Sequence, residues 1–254
     1  MKVCAIIPAR YGSTRLPGKP LLKINDKTII QMVYERCKEV DLLERVVVAT
    51  DDERIYTEVV SFGGECVMTS PNHKSGTDRI AEVAKSLDVD VVVNVQGDEP
   101  LISPESIKQA IIPFFENKDI VMTTLKTRIN SKEELFNPNV VKVVCDKFGY
   151  ALYFSRLPIP YGKTVEMGYP FKVEEEMLKN YFKHIGLYAY KSDFLIKLSE
   201  MSPTFLEERE GLEQLRVLEN GYKIFVVETE YNSIGIDTEE DYINLKKRLG
   251  EIDD

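Results

Sequence analysis

Short apolar runs alternate with longer stretches of helical period along the first half of the chain. Val3-Cys4-Ala5-Ile6-Ile7 is continuous and closes at Pro8, as a strand buried on both faces does. Over 28–40, Ile30, Val33, Tyr34 and Cys37 recur at i, i+3, i+4 and i+7, one stripe of an amphipathic helix. Val46-Val47-Val48-Ala49 predicts a second strand. A helix over about 53–62 ends at Gly63-Gly64, and Cys66-Val67-Met68 gives a third strand. Another helix starts near Gly76, followed by the apolar run Val91-Val92-Val93-Asn94-Val95. Ser103-Pro104-Glu105 then sets an N-cap with proline at the first helical position.

This β-α-β-α-β order predicts an α/β fold with a doubly wound, mostly parallel sheet. Ligands in such sheets sit at the carboxyl ends of the strands, so residues just after Ile7, Ala49 and Val95 are the place to look for chemistry. Beyond about 118 the pattern changes. Runs at 120–128, 140–145, 150–155 and 185–190 read as strands without full-length helices between them. They predict a mixed or antiparallel elaboration that covers the site or pairs with a second subunit. Helices near 191–200 and 207–220, a strand over 223–229 and a helix from Thr238, capped with Asp241, complete the chain. No repeat or Pro/Gly/Ser linker marks a domain boundary.

Composition narrows the function classes. At 254 residues, 43% hydrophobic and 30% charged, the chain has the material for a real core. A net charge of −9 argues against a general nucleic-acid binder. No apolar run approaches the roughly 18 residues of a membrane span, and the start shows no signal peptide. Cys4, Cys37, Cys66 and Cys145 are scattered, without a CxxC pair, and read as reduced core thiols of a cytoplasmic protein.

Against that acidic background, the first 25 residues hold Lys2, Arg10, Arg15, Lys19 and Lys23 and no acid. Arg10 to Lys19 is a basic loop punctuated by Gly12 and Gly18, placed where the first strand ends. Glycines let backbone N–H groups approach an anion and the cations neutralise it, so a polyphosphate suits the loop. It is not a Walker A loop, because five residues separate the glycines and Pro20 follows Lys19, nor is it a GxGxxG turn.

Asp98, in Gln96-Gly97-Asp98-Glu99-Pro100, directly follows the Val91–Val95 run, and Asp237 precedes the last helix. Either alone is ordinary turn chemistry. Together they suit Mg²⁺, which takes oxygen ligands and substrate phosphates. His73 to Arg79 opens a helix with hydroxyls and a glycine, the makings of an anion or nucleobase site or simply of a helix cap.

The stretches IIPARYGSTRLPGKPL, VVVATDD, HKSGTDR, VNVQGDEP, FNPNVVKVV, GYALYFSR, HIGLYAY, LEQLRVLENG and GIDT, in this order, resemble the 3-deoxy-manno-octulosonate cytidylyltransferases, or CMP-KDO synthetases. The resemblance implies a Rossmann-like nucleotidyltransferase and a cytoplasmic homodimer. Its reaction would activate KDO for lipopolysaccharide synthesis, with CTP and KDO giving CMP-KDO and pyrophosphate. It implies one α/β domain over 1–254. Residues 1–118 would form the nucleotide-binding half, 119–190 the sugar-binding and dimer elaboration, and 191–254 the helices completing the site.

By the same resemblance, Pro8, Ala9, Arg10, Arg15, Lys19, Ser75, Gly76, Gln96, Gly97 and Asp98 bind the nucleotide. Arg15, Lys19, Asp98 and Asp237 are the catalytic set, with Asp98 and Asp237 on Mg²⁺. Arg156, His184, Tyr188, Glu213 and Gln214 face the sugar acid, where a guanidinium can grip a carboxylate in bidentate fashion. The segment 75–79 carries Asp78 where many members have Glu. No general base is assigned. The alternatives are a different acceptor, 8-amino-KDO or another sugar acid, and a nucleotide-binding module without turnover. Pyrophosphate release separates them.

Overall fold

The computed structural model describes residues 1–12, 16–161, 175–232 and 235–251. In chain order come β1 (Val3–Ala9), a small hairpin of β2 (Lys23–Ile24) and β3 (Lys27–Thr28), α1 (Ile29–Lys38), β4 (Arg45–Thr50), α2 (Glu53–Ser61), β5 (Glu65–Met68), α3 (Gly76–Lys85) and β6 (Val91–Asn94). The second half adds α4 (Pro104–Ile111), α5 (Pro113–Glu116), β7 (Met122–Arg128), α6 (Lys132–Phe136), β8 (Lys142–Cys145), β9 (Ala151–Ser155), α7 (Glu175–Leu178) and β10 (Phe182–Lys191). It closes with α8 (Ser192–Ser199), α9 (Phe205–Glu210), α10 (Gln214–Glu219), β11 (Phe225–Glu228) and α11 (Glu239–Arg248).

One large sheet runs in the order β11-β7-β10-β6-β1-β4-β5, with β8 added beside β10 and β9 beside β8. β5, β4, β1 and β6 are parallel, whereas β10 runs antiparallel to both β6 and β7. The period-2 alternation of a strand sends successive side chains to opposite faces. Val3, Ala5 and Ile7 therefore pack with α1, α2 and α4 on one face. Cys4 and Ile6 pack with α3, α8 and α10 on the other. Both faces are covered, which explains why the β1 and β6 segments read as continuous apolar runs. No helix among the described residues is long and apolar enough to cross a membrane.

Two local features position the site. β10 bulges against β7: its partners step from Ile185 opposite Leu125 to Tyr188 opposite Thr124. Gly186 and Leu187 are thus the extra residues, and a bulge of this kind re-aims the side chains around it. The second feature corrects the single helix expected over 207–220. The segment is two helices, α9 and α10, parted at Gly211, whose φ of 62° is left-handed and ends α9. Glycine takes that conformation without the Cβ penalty. The break puts Glu213 and Gln214 at the start of a new helix instead of mid-helix.

Lys142 has no exposed surface, and its Nζ donates to the carbonyls of Asn137 (3.0 Å) and Val140 (2.5 Å). Burial, helped by the nearby Arg156 charge, pushes its pKa down from 10.5 to about 8. Between those values the unfolded chain binds the proton that the folded chain has released, so stability rises with pH across that window. The stability of the wild-type chain relative to Lys142→Met should increase by about 3 kcal/mol from pH 7 to pH 10.5. Denaturant curves at the two pH values check it; a constant difference would show that Lys142 keeps its proton.

Candidate active site

The ends of β1 and β6 and the start of α3 enclose a cleft of about 360 Å³. Pro8 and Ala9 end β1, Gln96, Gly97 and Asp98 follow β6, and Ser75 and Gly76 open α3; all seven line it. The two strand ends approach so closely that a Cβ on Gly97 would lie 2.9 Å from the Pro8 carbonyl oxygen. Ser75 caps α3: its hydroxyl accepts from Asp78 N (3.1 Å), and Asp78 Oδ2 accepts from Ser75 N (3.3 Å). The first helical turn leaves further N–H groups directed outward, where an anion or a polar ring edge can meet them.

Tyr11 and Gly18 draw the two described ends of the basic loop together. Gly18, at φ 70°, donates its N–H to the Tyr11 carbonyl (3.0 Å) and lies against the Tyr11 ring. The Arg54 guanidinium, paired with Asp52, stacks over that ring at 3.2 Å from its centroid. The return brings Lys19 to the strand ends. Its Nζ donates to Asp98 Oδ2 (2.7 Å), Asp237 Oδ1 (3.2 Å) and the Ile236 carbonyl (2.6 Å). A backbone bond from Ile236 N to Asp98 O (2.9 Å) ties the two carboxylate loops together.

Asp98 and Asp237 therefore converge on one cation, and Lys19 is the cation between them. All donors at that point are oxygens. Two carboxylates completed by substrate phosphates match the ligand set Mg²⁺ takes, so the residues present fit the ion. Arg10 and Lys74 line the same cleft, exposed and without an ion pair among the described residues. Ten of the residues expected on nucleotide and metal thus share one cleft; Arg15 lies outside the described residues.

The five residues expected to face a sugar acid do not line this cleft. They lie on the adjoining sheet face, around β10 and the start of α10. His184 Nε2 lies 2.8 Å from Thr124 Oγ1, within reach of the carbonyls of Ile185 (3.1 Å) and Leu187 (2.9 Å) at the bulge. The carbonyls take the Thr124 hydrogen, so Nε2 carries the proton and Nδ1 is left as an acceptor. Burial pushes the His184 pKa down to about 3, which keeps the ring neutral. Tyr188 donates to Gln214 Oε1 (3.2 Å), and burial raises its own pKa.

Glu213 accepts from the Thr77 hydroxyl, one residue beyond Gly76. That bond joins the two groups of residues. Arg156 is engaged with the main chain: Nε donates to the Glu210 carbonyl (2.6 Å), Nη1 to Pro138 (2.9 Å) and Nη2 to Gly211 (3.3 Å).

The sequence reading singled out the segment 73–79 as a helix start suited to an anion or a nucleobase, but gave no individual role to three of its side chains. His73, Lys74 and Arg79 line the cleft, all within the quoted HKSGTDR stretch. Arg79 is buried and bound to Asp51 (3.0 Å) and Thr69 (2.5 Å), fastening α3 to the ends of β4 and β5. Its position three residues beyond Gly76, in the first turns of α3, was the available signal. Thr77 and Thr124 gave none, because their roles depend on contacts across the sheet.

A sequence model of the family described as Cytidylyltransferase matches residues 4–224. The 3-deoxy-manno-octulosonate cytidylyltransferase of Geotalea daltonii is 53% identical over 249 residues, 98% of this chain and 98% of that protein. The one of Fusobacterium nucleatum is 55% identical over 241 residues, 94% of each. A solved structure of CMP:2-keto-3-deoxy-manno-octonic acid synthetase complexed with CTP superposes with a TM-score of 0.90. It is 39% identical and covers 99% of both chains. A cytidylyltransferase from Leptospira borgpetersenii, 23% identical at a TM-score of 0.63, shares the fold, over 100% of this chain and 89% of that one.

The close approach at Gly97 is directly testable. Gly97→Ala should destabilise the chain by about 1–3 kcal/mol, since the added methyl meets backbone that cannot retreat. Gly12→Ala, where a Cβ meets nothing within 4 Å, serves as the control. Equal denaturation midpoints for the two variants would refute the constraint.

Proposed function

The chain belongs to the 3-deoxy-manno-octulosonate cytidylyltransferase family, and on that premise we propose that it transfers a cytidylyl group from CTP to KDO. The anomeric hydroxyl of KDO attacks the α-phosphorus, and pyrophosphate leaves in line, giving CMP-KDO. The observation that carries this reading is the meeting of Lys19, Asp98 and Asp237 at the mouth of a cleft lined by helix-capping and glycine backbone.

In this reading Ser75, Gly76, Gln96 and Gly97 line the cytidine, while Arg10, Arg15 and Lys19 neutralise the triphosphate. When the nucleotide enters, Lys19 turns from the carboxylates to the phosphates. Asp98 and Asp237 would hold Mg²⁺, which would supply charge stabilisation to the reacting phosphates. Neutral His184 accepts a sugar hydroxyl at Nδ1, and Tyr188, Glu213 and Gln214 orient the rest of the sugar. Arg156 exchanges carbonyl partners for the KDO carboxylate. Catalysis then rests on alignment and charge stabilisation, with no side chain cast as general base.

We also place the reaction in the cytoplasm, in keeping with the four unpaired cysteines. A homodimer is supported by β9, whose one ladder partner among the described residues is β8, and by the exposed apolar side chains of Leu152 within it and Leu157 just after it. Light scattering should give twice the 29.1 kDa chain mass, and Leu152→Asp should shift it towards the single chain. An unchanged mass in the variant would move the interface elsewhere.

Pyrophosphate release with CTP, Mg²⁺ and an acceptor panel of KDO, 8-amino-KDO and sialic acid tests the reaction. Release is expected with KDO, and Asp98→Asn should lower kcat by about 100-fold or more. Near-normal turnover by the variant removes the metal role. Tight CTP binding without release would leave a binding module.

A further inference from the structure

Two buried polar atoms on one face of the sheet have no hydrogen-bond partner: Asn94 Oδ1 and Gln214 Nε2. Asn94 is 3% exposed and Gln214 5%. Asn94 ends β6 and stands directly opposite Tyr188 of β10 in the strand register. Its amide also contacts the Tyr190 hydroxyl, which the Thr77 side chain approaches as well. Gln214 meets the same surface from α10, receiving the Tyr188 hydroxyl on Oε1. An unpaired acceptor and an unpaired donor thus flank Tyr188 on the face that carries His184, whose Nδ1 is a further acceptor.

Buried polar atoms are almost always paired, and an unpaired one is unfavourable in the folded state. Leucine in place of Asn94 would keep the branching at Cγ without the unpaired acceptor. The two orphaned atoms are therefore an acceptor and a donor that a bound molecule reaching this face could pair.

We propose that Asn94 is a specificity-determining residue for the acceptor. Its Oδ1 accepts a hydrogen bond from one hydroxyl of the sugar acid, while Gln214 Nε2 donates to a second oxygen of the same molecule. The inference rests on the sugar-acid reading above and extends it to a residue buried beside Tyr188 at the end of β6. It requires an acceptor rich in hydroxyls, because a site with an unsatisfied acceptor discriminates against any ligand that brings no donor.

The test compares wild type with Asn94→Leu in three measurements. KM for KDO in pyrophosphate release should rise about tenfold or more. CTP affinity by calorimetry should stay within twofold, because Asn94 does not line the nucleotide cleft. The thermal midpoint should hold or rise, since a buried unpaired acceptor has been removed. A purely structural asparagine, or one that only holds a water, predicts a lower midpoint with KM for KDO unchanged, and that result overturns the proposal.

Monodeoxy analogues of KDO tested on the wild-type chain make the inference independent of how the variant folds. One analogue should lose about tenfold in kcat/KM, and equal use of all of them overturns the role of Asn94. If wild type releases no pyrophosphate with KDO, the reading of the reaction fails, and the role of Asn94 falls with it. Normal release by both chains with matching KM removes Asn94 alone.

Discussion

The architecture of the site depends on an ammonium group held between two carboxylates drawn from distant parts of the chain. Lys19 returns from the loop after β1, Asp98 follows β6, and Asp237 precedes α11. Without a cation at that point, two acids brought this close would repel. At 4 Å and an effective dielectric near 20, unit charges interact by about 4 kcal/mol. The lysine turns that repulsion into attraction and holds the acids where a divalent ion and a polyphosphate can replace it. In the proposed reaction, the group that stabilises the unliganded arrangement is the same one that would meet the phosphates of the nucleotide.

The second organising contact is smaller. Thr77 opens α3 beside the nucleotide cleft and donates to Glu213 at the head of α10. Because α3 is capped by Ser75 and anchored through Arg79 to Asp51, the hydroxyl approaches Glu213 from a fixed frame. The two groups of residues proposed to face the nucleotide and the sugar lie on different elements but share this rigid junction. Binding energy gained in one half can therefore align the other.

Much of this was legible in the amino-acid pattern, for local reasons. The Val91–Val95 run, the Ser103-Pro104 start and the Thr238–Asp241 cap depend on a few neighbouring residues and keep their identity in the fold. The expected helix over 207–220 failed where one left-handed glycine outweighed the surrounding helical pattern. Site geometry was less accessible. No spacing rule brings Lys19 to Asp98 and Asp237, because that meeting depends on how the loops close over the sheet. Nor does the pattern show that bulge carbonyls set the His184 tautomer, or that Arg156 spends its donors on three main-chain oxygens. Resemblance named those residues; only the packed structure shows what each is touching.

The hydrogen bond from Ile236 N to the Asp98 carbonyl carries a consequence for how the protein comes into being. On the ribosome, strands β1, β4, β5 and β6 emerge early and can pair with one another, yet the acidic partner at 237 follows only after every strand of the sheet. Until then the cleft lacks one wall, and Lys19 has a single carboxylate to hold. Assembly of the three-residue centre thus waits on a segment 218 residues beyond Lys19, and a chain cut before Asp237 lacks that centre even where β1, β4, β5 and β6 are present.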